Sequence, residues 1–347
     1  MTTRTSRLSA TEDEFLLDSL DYPGDLTAYW HPIARAEEVT RHPQRVVLLG
    51  RPAVVFRDDK GVVAFRDLCV HRGTRLSLGR ITSEGNLQCP YHGWEYDRTG
   101  QCVRIPARPP DAPIPGTARA LAYQAREAYG LVWLCLSEPA YPIPPFPGGE
   151  YDDPRWHTFF AFSESWQTSA GRVLENFCDW THIPFVHDGV LGSHDLPRVT
   201  PSQAVEQEDE DGFSIRYSYE QVDQSELYGG GGSLSIRREF VVYLPFMAHL
   251  YKVAPTEDAS LLSLALCPHG PKETTLYLWI SRNHDFERSD AEYRQLSLEV
   301  FAQDRHVVET QLPEQIPVDL SRELHLKLPD AFSVEYRRLL GRLSSDG

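Results

Sequence analysis

Short runs of β-type residues separated by turn signals fill the chain from about Tyr29 to Glu138: RVVLLG, AVVFRDD, GVVAFRD, NLQCP, WEYDRTGQCV and YGLVWLCL. Runs of this length between Gly, Pro and Asp punctuation are the signature of strands, so the stretch predicts a compact all-β domain. Pro139, Pro142, Pro144, Pro145, Pro147, Gly148 and Gly149 follow. Regular structure does not accept proline at that density, which marks a linker. Beyond it, FSIRYSYEQV, SLSIRREFVVYL, AHLYKVAP and TTLYLWISRN alternate over longer spans and predict an antiparallel sheet, with helical stretches near residues 168–183 and 288–310. The expected class is α+β, divided into an N-terminal segment 1–27, an all-β domain 28–145 and an α+β domain 146–347. Gly229 to Gly232 reads as a flexible loop rather than a phosphate cradle, because no helix opening with Lys-Ser/Thr follows. No internal repeat is visible.

Composition narrows the classes. With 347 residues, 41% hydrophobic and 24% charged, the chain is long enough for two ordinary cores and too balanced for disorder. Its longest apolar runs, Leu131 to Leu136 and Leu261 to Cys267, are far shorter than the roughly 18 residues of a membrane span. No membrane partner is expected. The opening MTTRTSRLSATEDEF lacks the apolar stretch of a secretory signal and soon turns acidic, so a cytoplasmic location is expected. A net charge of −16 with no dense Lys/Arg cluster disfavours nucleic acid as a partner.

Two Cys/His pairs change the picture most. Cys69-x-His71 and Cys89-Pro-Tyr-His92 are separated by 17 residues, each in a tight loop between strand-like runs. Two thiolates and two neutral imidazoles suit either a four-coordinate zinc or a [2Fe–2S] cluster with cysteines on one iron and histidines on the other. Zinc loops space the ligands within a pair by two to four residues, and only Val70 separates Cys69 from His71. The other cysteines, Cys102, Cys135, Cys178 and Cys267, have no partner at ligand spacing and read as small packing residues.

A second constellation lies in LENFCDWTHIPFVH, residues 174–187. Read as a helix, it places Val173, Leu174, Phe177 and Trp180 on one side and lines Asn176, Asp179 and His182 along a stripe at every third residue. Pro184 would then disrupt the helix and let His187 approach the same point as His182. Two histidines need a third ligand, and non-haem Fe(II) oxygenases supply a carboxylate. In AEYRQLSLEVFAQDRHVVET, the apolar positions Tyr293, Leu296, Val300, Phe301, Val307 and Val308 define a helix face that also contains Asp304. An acid on an apolar face is costly without a partner, and metal ligation supplies one.

The segments DLCVHRGTRLSLG and LQCPYHGWEYDRTG resemble the two cluster-binding loops of Rieske proteins, and Asn176, Asp179, His182 and His187 match the Asn-x-x-Asp-x-x-His-x-x-x-x-His segment of Rieske non-haem iron oxygenases. The resemblance runs from about residue 28 to Leu340 and is closest to the N-/O-demethylase and hydroxylase branch, whose carboxylate segment reads phenylalanine-x-glutamate-aspartate. Here that segment is Phe301-Ala302-Gln303-Asp304, which departs only at Gln303. The resemblance implies a Rieske [2Fe–2S] domain held by Cys69, His71, Cys89 and His92, and a helix-grip-like catalytic domain holding mononuclear Fe(II) through His182, His187 and Asp304. Imidazoles in place of two thiolates raise the cluster potential above that of plant-type ferredoxins, roughly −400 mV.

It further implies a homotrimer in which Asp179 bridges His182 to His92 of an adjacent copy, with Asn176 close to the iron. The implied reaction is monooxygenation of a small, ring-containing organic substrate by O2: C–H hydroxylation, which becomes demethylation at an N- or O-methyl group. No GxGxxG follows a strand, so electrons from NAD(P)H are expected through a separate reductase or ferredoxin. The alternatives are an aromatic-ring cis-dihydroxylating dioxygenase, a Rieske electron-transfer protein without catalysis, and a zinc-stabilised binding protein. The substrate pocket is expected within REFVVYLPFMAHLYK, with Phe246, Met247 and His249 as candidates to face it.

Overall fold

The structure, a computed structural model, describes residues 26–195, 200–201, 206–207, 214–223 and 234–343. Most of the 1–27 segment and the Gly229 to Gly232 run therefore lie outside the described residues. The N-terminal half is all β, as the pattern predicts. Its strands are β1 (His31–Arg35), β2 (Gln44–Leu48), β3 (Arg51–Asp58), β4 (Gly61–Arg66), β5 (Arg80–Ile81), β6 (Leu87–Gln88), β7 (Glu95–Tyr96), β8 (Cys102–Arg104), β9 (Ala122–Ala128) and β10 (Leu131–Cys135). Six of them form one sheet in the order β1-β10-β9-β4-β3-β2, and β5 to β8 form a small four-stranded sheet beside it. Phe56, Phe65, Leu87 and Tyr96 from the two sheets, with Leu76 from the turn between β4 and β5, close a compact core around the buried Cys69 and Cys89.

The C-terminal half is built on an eight-stranded antiparallel sheet. Its strands are β11 (His157–Trp166), β12 (Thr200–Pro201), β13 (Glu206–Gln207), β14 (Ser214–Asp223), β15 (Leu234–Tyr243), β16 (Met247–Val253), β17 (Ala259–Gly270) and β18 (Glu273–Arg282). The order is β11-β18-β17-β16-β15-β14-β12, with β13 paired to β14. Its helices are Ala170–Cys178, Ile183–Val186, Asp290–Val308 and Ala331–Arg342. Ser169 and Ser289 cap the first and third, each accepting a backbone N–H of the opening turn, from Arg172 and Ala291. Among the described residues no helix is long and apolar enough to cross a membrane.

Alternation along the sheet decides what each face meets. His249, Ser263 and Trp279 are cross-strand neighbours and point one way. On that side the His249 ring lies 5.3 Å from Phe146, and Trp279 Nε1 donates to the Tyr129 carbonyl at 3.0 Å. The proline-rich segment thus lacks regular structure but is packed down by Phe146, which is only 4% exposed. The β2–β3 turn adds two backbone bonds to β17, Leu49 N to Pro268 O and Gly50 N to His269 O, both 2.7 Å. Phe240, Leu250 and Leu262 form the matching row on the opposite face, where the helices sit.

Helix Ala170–Cys178 is anchored by a buried ionic cluster. Arg337 donates to both carboxylate oxygens of Glu175, at 2.7 and 2.8 Å, and reaches Glu323 at 2.7 Å. Arg172 donates to the other Glu323 oxygen at 2.6 Å. Both arginine side chains are only 3% exposed, so removing one partner strands a carboxylate in a poorly solvated place. Arg337→Met is expected to lower unfolding free energy by about 3–5 kcal/mol in urea titrations, against little change if the cluster were solvent-screened.

Candidate active site and metal centres

The two cluster loops close in the same way. Gly73 N donates to Cys69 O at 2.9 Å and Cys69 N to Thr74 O at 2.8 Å; Gly93 N donates to Cys89 O at 3.1 Å and Cys89 N to Trp94 O at 2.8 Å. Each loop reverses at a glycine with φ near +70°, a conformation a side chain resists, and a Cβ at Gly93 would also sit 3.1 Å from Pro106. Two like-shaped loops thereby present Cys69 and Cys89 inward, both 2% exposed, and His71 and His92 outward. The histidine rings lie 4.5 Å apart, and Trp94 stacks on His71 at 4.5 Å.

These residues fit a two-iron cluster better than a single ion. His71 Nδ1 is buried without a hydrogen-bond partner, which is costly for a polar atom unless something ligates it. Among the described residues, only His182, His187 and Asp304 bring three ligand atoms within 4.8 Å of one another. The two thiols and two imidazoles therefore do not converge on one zinc-sized point. Tyr96 Oη lies 3.1 Å from Cys69 Sγ, positioned to hydrogen-bond the sulfur. Desolvation in this core raises the Cys89 thiol, so a bound metal is what would hold it as thiolate. All six cysteines are unbridged and buried.

The second centre gathers residues from two helices and the loop between them. Asp304 Oδ1 lies 3.3 Å from His182 Nε2 and 3.1 Å from His187 Nε2, and the two Nε2 atoms are 3.3 Å apart. Asp304 is 7% exposed, on a stripe with Tyr293, Ser297, Phe301 and Val308. Val307, expected on that face, is 44% exposed. Arg305 turns away and pairs with Glu309 at 2.9 Å, so Asp304 is no helix-edge ion pair. Burial opposes ionisation of Asp304, but hydrogen bonds from both imidazoles outweigh it and hold the carboxyl at about 2. Burial likewise opposes protonation of His182, yet Asp179 and Asp304 push it up to about 9. The three groups face one point, where a divalent cation would take the place of protons.

One expectation fails here. Asn176, Asp179 and His182 do not share a helix stripe, because the helix ends at Cys178 and Asp179 is extended, with ψ 141°. The Asp179 carboxylate instead caps the next turn, accepting from Thr181 N at 2.9 Å and His182 N at 3.1 Å. Pro184 does not break a helix but sits in the first turn of Ile183–Val186, where a missing N–H costs nothing. The histidines converge all the same. Asp179 Oδ2 accepts from His182 Nδ1 at 2.9 Å, and Gln303 Oε1 accepts from His187 Nδ1 at 2.8 Å, so both rings turn Nε2 inward. Asn176 Nδ2 donates to Asp304 Oδ1 at 3.3 Å, presenting its amide nitrogen rather than a ligand oxygen.

Beside the trio is a cavity walled by Phe177, Leu191, Phe240, Leu250, Leu262 and Phe301, with Arg238 and Lys252 also lining it. The expected segment supplies part of it, through Arg238, Phe240, Leu250 and Lys252. Phe246 and Met247 are absent from its lining, and His249 points to the opposite face, bonded to Ser263. The signal available in the sequence was the alternation of REFVVYLPFMAHLYK, in which Arg238, Phe240, Leu250 and Lys252 share one parity across paired strands. Thr181 and Gln303 were also missed as partners. An Asp-x-Thr turn points to the first, and nothing local points to the second.

Comparison with known proteins agrees with this geometry. Residues 29–122 match the Rieske [2Fe-2S] domain, and residues 166–346 match the vanillate O-demethylase oxygenase C-terminal domain. The chain is 32% identical to methylxanthine N1-demethylase NdmA of Pseudomonas putida over 348 residues, covering 96% of this chain and 92% of that one. The solved structure of P. putida CBB5 NdmA with caffeine superposes with a TM-score of 0.81 at 29% identity, covering 92% of this chain and 91% of that one. A stretch of 113 residues, 32% of this chain, is 43% identical to 19% of the P. putida oxidoreductase NdmD. With both halves matched in order along one chain, this protein belongs to the Rieske non-haem iron oxygenases.

Proposed function

We propose that the protein is the terminal oxygenase of a two-part system, hydroxylating a C–H bond of a small ring-containing molecule, with loss of the carbon when that bond belongs to an N- or O-methyl group. The observation that carries this is the convergence of His182, His187 and Asp304 on one point beside an apolar cavity. A chain that only carried electrons would have no use for a buried carboxylate against two imidazoles. Similarity to a methylxanthine N-demethylase over nearly the whole length favours demethylation over ring dihydroxylation. We place the division between the two functional units at residues 145/146.

In this reading Cys69, Cys89, His71 and His92 hold the cluster, and His182, His187 and Asp304 hold the mononuclear iron. Iron held at the second centre would supply the binding and reductive activation of dioxygen, and a cluster held by the first would supply one-electron transfer from a separate reductase or ferredoxin. The protein's own groups do the rest. Asn176 fixes the Asp304 carboxylate, Asp179 fixes His182, and the phenylalanines keep bulk water from the cavity. Arg238 and Lys252 bring N–H donors to a carbonyl or carboxylate of the substrate. Exposed His92, Tyr91 and Leu78 around the cluster loops suit a homotrimer in which each cluster faces a neighbour's Asp179. Unbridged cysteines suit the cytoplasm, where thiols stay reduced.

The deciding experiment is metal and acid-labile sulfide analysis of anaerobically purified protein, with visible spectra before and after dithionite. About three irons and two sulfides per chain, with bleaching on reduction, are expected. Colourless protein containing zinc would sink the assignment.

A further inference from the structure

We propose that Gln303 sets the charge and donor strength of the mononuclear iron site, keeping it one negative charge short of what a carboxylate there would give. The inference rests on the ligand assignment proposed above. Two imidazoles face the same point, and each has its outer nitrogen tied down: His182 Nδ1 by Asp179 Oδ2 at 2.9 Å, and His187 Nδ1 by Gln303 Oε1 at 2.8 Å. The bonds are alike in length and unlike in charge. A carboxylate draws the Nδ1 proton and makes the ring a stronger donor at Nε2, whereas an amide oxygen orients the ring without adding charge.

Helix geometry explains how one helix supplies both groups. Asp304 and Gln303 are consecutive, so their side chains leave the helix about 100° apart. One meets His187 at Nε2 and the other reaches round to Nδ1. His187 itself is 1% exposed, so its hydrogen-bond partner is not exchangeable with water. Among the ligands and the side chains bonded to their outer nitrogens, Asp304 and Asp179 are the anions. Two negative charges against a divalent cation leave that group neutral, and glutamate at 303 would leave it at −1. Arg238 and Lys252 line the same cavity with either residue at 303, so the difference between glutamine and glutamate there is one negative charge beside the ion.

The test is anaerobic titration of cluster-intact protein, stripped of its mononuclear iron, with Co(II), whose absorption bands report binding. Wild type would be compared with Gln303→Glu, Gln303→Leu and His187→Ala. Gln303→Glu is expected to bind Co(II) about 10-fold more tightly and Gln303→Leu about 10- to 100-fold more weakly, with the cluster spectrum unchanged in each. The opposite signs matter, because a residue that only fills space would lose affinity in both variants. Should Gln303→Leu fail to fold, the sign of the Gln303→Glu change decides alone. Equal or weaker binding by Gln303→Glu overturns the proposal. If His187→Ala binds as tightly as wild type, the ligand assignment falls and takes the proposal with it. If His187→Ala loses binding while Gln303→Glu does not tighten it, only the role of Gln303 is wrong.

Discussion

Replacing Asp304 by alanine is expected to abolish turnover and release one iron per chain while two irons, the sulfide and the visible spectrum of the cluster remain. The physical reason lies in the geometry of the trio. Asp304 Oδ1 is 3.1 and 3.3 Å from the two Nε2 atoms, so it supplies the one negative ligand among them. Without it two neutral imidazoles remain, and they retain a divalent ion poorly at the low iron activity of a purified sample. The cluster loops close on their own backbone and on the core around Tyr96 and Leu87, and none of those contacts involves Asp304. Iron analysis after desalting checks this directly. Retention of all the iron by Asp304→Ala would show that the carboxylate is a structural partner of the histidines and that the third ligand lies elsewhere.

The second large effect is expected at Asp179, and it separates electron delivery from metal binding. Both carboxylate oxygens are engaged within the chain, by Thr181 and by the backbone and ring of His182. Burial would raise its pKa, but the bonds from His182 and Thr181 reverse the shift and keep it ionised. The side chain is still 28% exposed, so an edge of the carboxylate is open at the surface. Asp179→Asn keeps the shape but removes the charge, and whichever way the amide turns its NH2 faces donors, Thr181 N on one side or His182 N and Nδ1 on the other. Turnover is expected to fall on the order of 100-fold with both metal sites occupied. Single-turnover mixing of reduced protein with substrate and O2 would locate the loss, because the cluster should stay reduced while product fails to form. Cluster oxidation at the wild-type rate would remove Asp179 from the electron path.

Much of the site was legible before any fold was known, and the reason is local. Ligands that share a short loop have their separation dictated by the chain between them, so Cys69-x-His71 and Cys89-Pro-Tyr-His92 announce a metal centre, zinc or cluster, and the resemblance of the flanking loops to Rieske proteins points to [2Fe–2S]. Asp304 was legible for a different reason: helix periodicity places it on a buried stripe, and an acid there needs a partner. The stripe of Asn176, Asp179 and His182 misled, because a run of threefold spacing is compatible with a helix whether or not the backbone continues as one. The chain leaves the helix after Cys178, where the Asp179 carboxylate offers the Thr181 and His182 amides an alternative to helical bonds.

Sequence by itself determined the order of an all-β half and an α+β half, and it named the two groups of Cys, His and Asp residues expected to act together. Only the tertiary structure decided which face of β15 and β16 meets His182, His187 and Asp304, so that Arg238, Phe240, Leu250 and Lys252 line the cavity while His249 packs toward Phe146. It alone brought Asn176 to Asp304 across 128 positions, and Gln303 to His187 across 116. A strand's alternation states that two faces differ but not which partner each receives. A single glutamine carries no mark of the ring it will hold. Those choices belong to the packing of helices on a sheet, where segments distant in the chain compete for one surface and the best-buried arrangement wins.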